Sequence, residues 1–283
     1  MKVKDLSKSC PVCNNKTLTI SGSSRNSKDQ SNLHLLIYYC EKCNSYIREI
    51  SEERILAILG EAEYTKIQNE ELQFYSRINF FAYLFSLASK FSKSPNNWLD
   101  YGCSYGHFMT YLSKKGLLCT GIEISDKVRN YALSLGLDVK KQLSDLAESQ
   151  LFDIVSIIDT LYYLRNPHTL LEEIHHRLRD NGIIILRVQN RNWLMKVDNF
   201  ISNGRIFNSL GDMVISYSEK SLKLLLKANG FKILKFSVRE KGKQRNTSIA
   251  CFYFITQVIY HLTFGLINLV PGFIVIARKD GCP

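Results

Sequence analysis

Two groups of residues in this 283-residue chain have the types and spacing to do chemistry. The first is a doubled thiol pair, Cys10-Pro11-Val12-Cys13 and Cys40-Glu41-Lys42-Cys43. Two residues between thiols let both sulfurs face one ion from a tight turn, and two such turns complete a tetrahedral thiolate site for zinc. A redox Cys-x-x-Cys usually occurs once, at the start of a helix. Disulfides are not expected in a chain without a secretion signal, and a degenerate, metal-free ribbon is set against the presence of all four thiols. Cys10, Cys13, Cys40 and Cys43 are therefore the expected zinc ligands. Four protein ligands leave no open position, so the role is structural. Cys103, Cys119, Cys251 and Cys282 have no metal spacing and read as small packing or surface residues.

The second group is Leu99-Asp100-Tyr101-Gly102-Cys103-Ser104-Tyr105-Gly106-His107-Phe108, followed by Gly121-Ile122-Glu123. An acid closes a strand, and two glycines bracket a turn into a helix. In an open α/β sheet such a turn lies at the carboxyl edge, where ligands bind, and glycine there lets backbone approach the ligand. A carboxylate at Glu123 can accept both hydroxyls of a ribose. A nicotinamide cofactor would want G-x-G-x-x-G with its pyrophosphate on the helix N-terminus, and that triple glycine is missing. Asp100 would repel a phosphate but attract an ammonium group. Methionine joined to adenosine has an ammonium and no phosphate, so the residues favour S-adenosylmethionine.

The elements that must position these groups are legible from periodicity. Short strand-like runs at 18–20 and 33–39 lie between the thiol pairs, joined by a polar loop over 21–32. Helical periodicity covers 51–59 and 64–91, and Ser94-Pro95-Asn96-Asn97 breaks it. Strands at 98–100, 118–122, 137–139, 152–158, 182–188, 231–238 and 273–277 then alternate with helices at 108–115, 126–135, 170–178 and 219–229. That alternation predicts an α/β fold, a doubly wound and mostly parallel seven-stranded sheet, behind a small N-terminal ribbon. The expected division is a zinc ribbon over 1–50, a helical connector over 51–94 and a cofactor-binding domain over 95–283. Residues 249–269 are apolar but interrupted by Thr256, Gln257, His261, Thr263 and Asn268. They read as a helix packed between the last two strands, with an interfacial membrane helix as the alternative.

At this point the chain resembles the class I S-adenosylmethionine-dependent methyltransferases, in particular those with an N-terminal zinc ribbon, many of which modify sugars. The resemblance rests on the ribbon, the Asp100–Phe108 loop, Gly121-Ile122-Glu123, Phe152-Asp153-Ile154-Val155, Val188-Gln189-Asn190, and the Tyr217–Leu222 helix start. It implies a Rossmann-like fold, a methyltransferase activity, and cofactor contacts from Asp100, Gly102, Cys103, Ser104, Gly106, Glu123 and Ile124. It also implies that Asp145 meets the adenine amino group. Two departures stand out. Ser104 occupies a place often held by Gly, and Asp159-Thr160-Leu161-Tyr162-Tyr163 replaces a common Glu-His. If that His is a base in relatives, it is lost here, and Tyr162, Tyr163 and Asp159 become the catalytic candidates. Gln189, Asn190 and Arg191 are expected beside them. His107 is expected to orient the loop, and His168 to cap a helix or lie on the surface.

Methyl transfer from a sulfonium is an in-line displacement that alignment can largely drive. A base matters only for a hydroxyl or carbon acid. The expected acceptor is a small molecule such as a sugar, nucleotide-sugar or lipid-linked glycan. The net charge of +11 is concentrated late: residues 181–283 hold 15 Lys and Arg against 5 Asp and Glu. Lys232, Lys235, Arg239, Lys241, Lys243 and Arg245 form a run that suits nucleic acid, an anionic leaflet or solvent. The alternatives are accordingly a nucleic-acid methyltransferase or binding protein, and a lipid methyltransferase touching the membrane through 232–269. The Lys-rich first ten residues, with no apolar run behind them, lead us to expect a cytoplasmic protein.

Overall fold

The computed structural model describes residues 4–5, 8–25, 34–61, 70–92, 95–201, 209–239 and 247–280. Parts of the 21–32 loop and the 64–91 helix, together with Lys241, Lys243, Arg245 and Cys282, lie outside the described residues.

The N-terminal strands are β1 (Lys4–Asp5), β2 (Leu18–Arg25), β3 (His34–Cys40) and β4 (Ser45–Arg48). Helices α1 (Glu52–Glu61) and α2 (Glu70–Ser89) follow. The alternating region then runs β5 (Asn97–Tyr101), α3 (His107–Ser113), β6 (Leu118–Ile122), α4 (Asp126–Ser134) and β7 (Asp138–Lys140). It continues with β8 (Phe152–Ile158), α5 (Pro167–Arg177), β9 (Leu178–Gln189) and α6 (Asn192–Ile201). Last come β10 (Ile215–Ser216), α7 (Glu219–Ala228), β11 (Phe231–Ser237), α8 (Thr247–Leu262) and β12 (Gly272–Lys279).

Seven strands form the main sheet in the order β11-β12-β9-β8-β5-β6-β7, and β12 alone runs against the rest. The central strands β5, β8, β9 and β12 are apolar on both faces, as a sheet covered on both sides requires. Side chains alternate between those faces. Trp98, Ile154, Ile183, Ile185, Ile274 and Ile276 pack with Phe80, Phe81, Leu84, Phe108 and Leu112 of α2 and α3. Their neighbours Leu99, Val155, Ile184, Leu186, Val275 and Ala277 face the other way, onto Leu170, Leu171 and Ile174 of α5 and Leu222, Leu225 and Leu226 of α7.

The ribbon is joined to that second layer more closely than the expected division implies. Its sheet, β1-β2-β3-β4, is completed by β10, from far along the chain, through Ile215↔Ile47 and Ser216↔Tyr46. Arg48 N–H donates to Val214 C=O at 2.8 Å, and its guanidinium reaches Gly211 C=O. Asn192 Nδ2 donates to Asn44 C=O at 2.6 Å and Ser218 Oγ to Cys43 C=O at 2.7 Å. The ribbon therefore rests on the starts of α6 and α7. Two residues is too short a run for periodicity to reveal β10.

Candidate functional site

The four N-terminal thiols converge. Their Sγ atoms lie within 4.8 Å of one another, with Cys10–Cys43 and Cys13–Cys40 both at 3.6 Å. A zinc tetrahedron with bonds of about 2.3 Å has sulfur–sulfur edges of about 3.8 Å. The two turns match: Asn14 N–H donates to Cys10 C=O at 2.9 Å, and Asn44 N–H to Cys40 C=O at 2.8 Å. Both asparagines are left-handed, at φ 54° and 58°, a conformation asparagine tolerates better than most residues. The hydrogen bond with Cys43, followed by burial, pushes the Cys10 thiol far up, and the same bond lowers Cys43 to about 5. The donor set and spacing fit a closed, structural zinc site.

At the carboxyl edge of the main sheet lies a cavity of about 770 Å³, within the range of small-molecule sites. The Gly102–Gly106 loop forms one wall. Gly102 and Cys103 donate their N–H groups to Ile122 C=O at 2.8 and 3.0 Å, which ties the loop to the end of β6. Gly102 is left-handed, and a Cβ there would stand 2.2 Å from Thr160 Oγ1. Glycine is thus required by both conformation and space. Ser104 is left-handed as well, at φ 51°. That explains the glycine often found at this place in the family it resembles.

Glu123 is buried beside the loop, and each of its oxygens is anchored: Oε2 accepts Ser104 N–H at 3.0 Å and Oε1 accepts Ser125 N–H at 2.8 Å. Burial raises its pKa, and these amides oppose the shift. Asp100 is also buried. Its Oδ1 accepts from Ser156 Oγ at 2.6 Å, and Ser156 in turn accepts from Trp98 Nε1 at 2.8 Å. Burial lifts the Asp100 carboxyl to about 6, while Ser156 and the nearby Arg77 cation pull the other way.

Arg77 of α2 lines the cavity with Asp100. Sequence reasoning missed it because no local motif marks it. The available signal was that it is the single basic residue in Glu70–Ser89. Sequence reasoning also missed the connector's contribution, in which Glu52, Ile55, Leu56 and Leu59 of α1 close the cavity from above the strands.

Asp100, Gly102, Cys103, Ser104, Glu123 and Ile124 share this lining with Asp159, Tyr162 and Tyr163. Gly106 stands outside the lining, left-handed at the start of α3. Asp145 also stands outside it. Its Oδ2 accepts the N–H groups of Lys141 and Gln142 at 3.2 Å, capping a short turn, and Lys141–Ser144 face the cavity instead. Gln189, Asn190 and Arg191 do not line it either. Gln189 Nε2 donates to Tyr162 Oη at 3.3 Å, Arg191 holds Gln189, and buried Asn190 binds the 268–270 backbone.

Asp159 forms an ion pair with Arg187, which is almost wholly buried. Its carboxylate is thereby committed to a cation. Burial pushes the Tyr162 phenol well above its usual value and Tyr163 to about 12, so neither is a base near neutrality. Their rings pack at 4.7 Å between centroids and form a wall of the cavity. His107 is lowered to about 4 by burial and by Arg77, which keeps it neutral. His168 joins two units: one ring nitrogen meets Val12 C=O in the first thiol turn at 3.2 Å, and the other meets the Asn229 amide.

The methyltransferase domain family model matches residues 70–235, more than half of the chain. The chain belongs to this family, and its sheet order and acid-led loop make it a class I S-adenosylmethionine-dependent methyltransferase. Among curated proteins it is similar to the ubiquinone biosynthesis O-methyltransferase of Coxiella burnetii (strain Dugway 5J108-111). The identity is 24% over 129 residues, 43% of this chain and 55% of that protein. The Pasteurella multocida (strain Pm70) protein of the same name is 25% identical over 111 residues, 33% of this chain and 46% of that one. The chain thus spans about half the length of the curated relatives it matches. Among solved structures, the plantazolicin methyltransferase BamL, in complex with a triazolic desmethylPZN analog and SAH, aligns with a TM-score of 0.51. It is 18% identical, covering 81% of this chain and 97% of that one, a likeness of fold.

Proposed function

We propose that this protein moves a methyl group from S-adenosylmethionine to a hydroxyl of a small acceptor, and that Cys10, Cys13, Cys40 and Cys43 hold a structural zinc. The carrying observation is that buried Asp100 and the Arg77 cation, whose charges influence each other, line one cavity with anchored Glu123. An amino-acid end carries an ammonium and a carboxylate, and Asp100 and Arg77 are their counterparts. Glu123, with both oxygens held by backbone amides, presents its remaining lone pairs to a ribose. The donor supplies an activated methyl group.

Tyr162 and Tyr163 form the wall against which an acceptor packs, and the apolar side chains of α1 exclude water from above. With Asp159 paired and both phenols held protonated, catalysis rests mainly on alignment. Glu52 and Glu173 are further carboxylates on the lining, and we assign uptake of a hydroxyl proton to one of them. The names of the curated relatives support oxygen as the methylated atom. Aromatic rings and polar groups such as Asn166 on the lining support a sugar or glycan acceptor. Isothermal titration with S-adenosylmethionine should give saturable heat that Arg77→Ala weakens. No heat with folded protein overturns the reading. Transfer assays with nucleotide-sugars beside simple phenols then separate acceptor classes.

A further inference from the structure

β11 runs parallel to β9, so Ser237 ends on the same edge of the sheet as Tyr101, Ile122 and Ile158, which border the cavity. The chain leaving that end builds α8 and returns through 263–271. The chain leaving β9 on the same edge builds α6. Both excursions leave large apolar side chains in water. On α8, Phe254, Ile255, Val258 and Leu262 recur at helical spacing and are exposed, while Thr256 is buried behind them and Tyr260 Oη donates to Glu219 Oε2 at 2.8 Å. Beyond the helix Phe264 is 95% exposed and Leu266 89%, and Phe200 on α6 is 86% exposed. Large apolar side chains exposed on two excursions from one edge of the sheet mark an interaction site.

Charge selects the partner. From Thr247 to Ala277 the sequence contains no Asp, Glu, Lys or Arg. Near the cavity edge stand exposed Lys235 and Arg239 on and beyond the end of β11, and exposed Lys196 on α6. In sequence, Lys241, Lys243 and Arg245 lead into the helix. An apolar stripe bordered by cations suits a helix lying in an anionic leaflet. A symmetric pairing of two copies through this face would bring its cations together, which is unfavourable. Among the described residues no helix is long and apolar enough to cross a membrane, so the fit is to a surface.

We propose that α8, the 263–267 turn and the end of α6 dock this protein on an anionic bilayer, with the cavity edge toward the lipid. The acceptor class this fits is a methylatable polar head carried on an apolar anchor. That last clause rests on the methyltransferase reading of the cavity, whereas docking does not.

Co-sedimentation of the full chain with vesicles of phosphatidylcholine, alone or mixed with phosphatidylglycerol, tests the docking. Pelleting should occur with the mixed vesicles and fall in high salt. The double variant Phe264→Glu, Leu266→Glu should lose at least about tenfold in partitioning, as expected for removing two buried apolar groups. Its binding of S-adenosylmethionine should be unchanged, which shows that it folds. Three results overturn the proposal: wild type left in the supernatant with both vesicles, equal pelleting of the variant, or a dimer in sedimentation velocity that the variant dissociates. The last gives the face to a second copy. Protein that binds the donor but no vesicles defeats docking alone, and the converse defeats the donor reading alone.

Discussion

Val214 donates its backbone N–H to the carbonyl of Tyr162 at 2.9 Å, while its own carbonyl accepts from Arg48 in the ribbon. One residue therefore links the thiol-bearing sheet to the Tyr162 wall of the cavity. Tyr217 extends the link: it is fully buried near Cys10 and Cys43, and its hydroxyl lies 3.5 Å from Leu161 C=O. The ribbon supports the 159–164 segment and touches none of the Gly102–Gly106 loop through these bonds.

Metal removal should therefore act on one side of the cavity. With a chelator, or with Cys43→Ser, the thermal midpoint should drop, because closing four thiolates on a metal is folding free energy. Hydrogen exchange should accelerate over 159–164 and 211–218 before it does over 102–106. Uniform acceleration across both regions would refute the link.

Donor affinity should depend on pH through Asp100. Its folded pKa of about 6 lies above the ordinary aspartate value of 3.8, so the empty protein loses stability as pH rises between those values. An ammonium ligand needs the ionised form, so binding should strengthen as pH rises to about 6 and then level off. Asp100→Asn should weaken binding by about 1.5–3 kcal/mol and flatten the profile. Calorimetry across pH 5 to 8 checks both statements.

Asp159→Asn should behave as a stability mutation. It leaves Arg187 buried without its counter-charge, a change that costs about 3–5 kcal/mol in comparable settings. Urea denaturation reads this directly. A variant with unchanged stability and abolished turnover would instead make Asp159 the base.

Ser104→Gly should stabilise. The serine holds φ 51°, and left-handed backbone costs a residue with a Cβ about 1–2 kcal/mol. The amide that reaches Glu123 is backbone and survives the change. A lower melting temperature would show that the serine hydroxyl has a role of its own.

Much of this protein was determined by local sequence. Two Cys-x-x-Cys pairs, each followed by asparagine, dictate twin turns, because asparagine accepts the left-handed conformation that closes them. Continuous apolar runs such as Ile183–Leu186 demand a strand covered on both faces. The acid–glycine loop with Glu123 beyond it places a nucleoside site at a strand end, since each strand-to-helix unit sets its own geometry. What depended on contacts between distant segments stayed hidden. Arg77 comes to Asp100 only when α2 packs beside β5. Asp159 gains its buried counter-charge only from Arg187, on the next strand of the sheet. β10, too short to show periodicity, becomes a strand only where β4 offers it a free edge. Tertiary structure decided these matters because a charge or a backbone amide takes its role from its partner, and the partner here lies far along the chain.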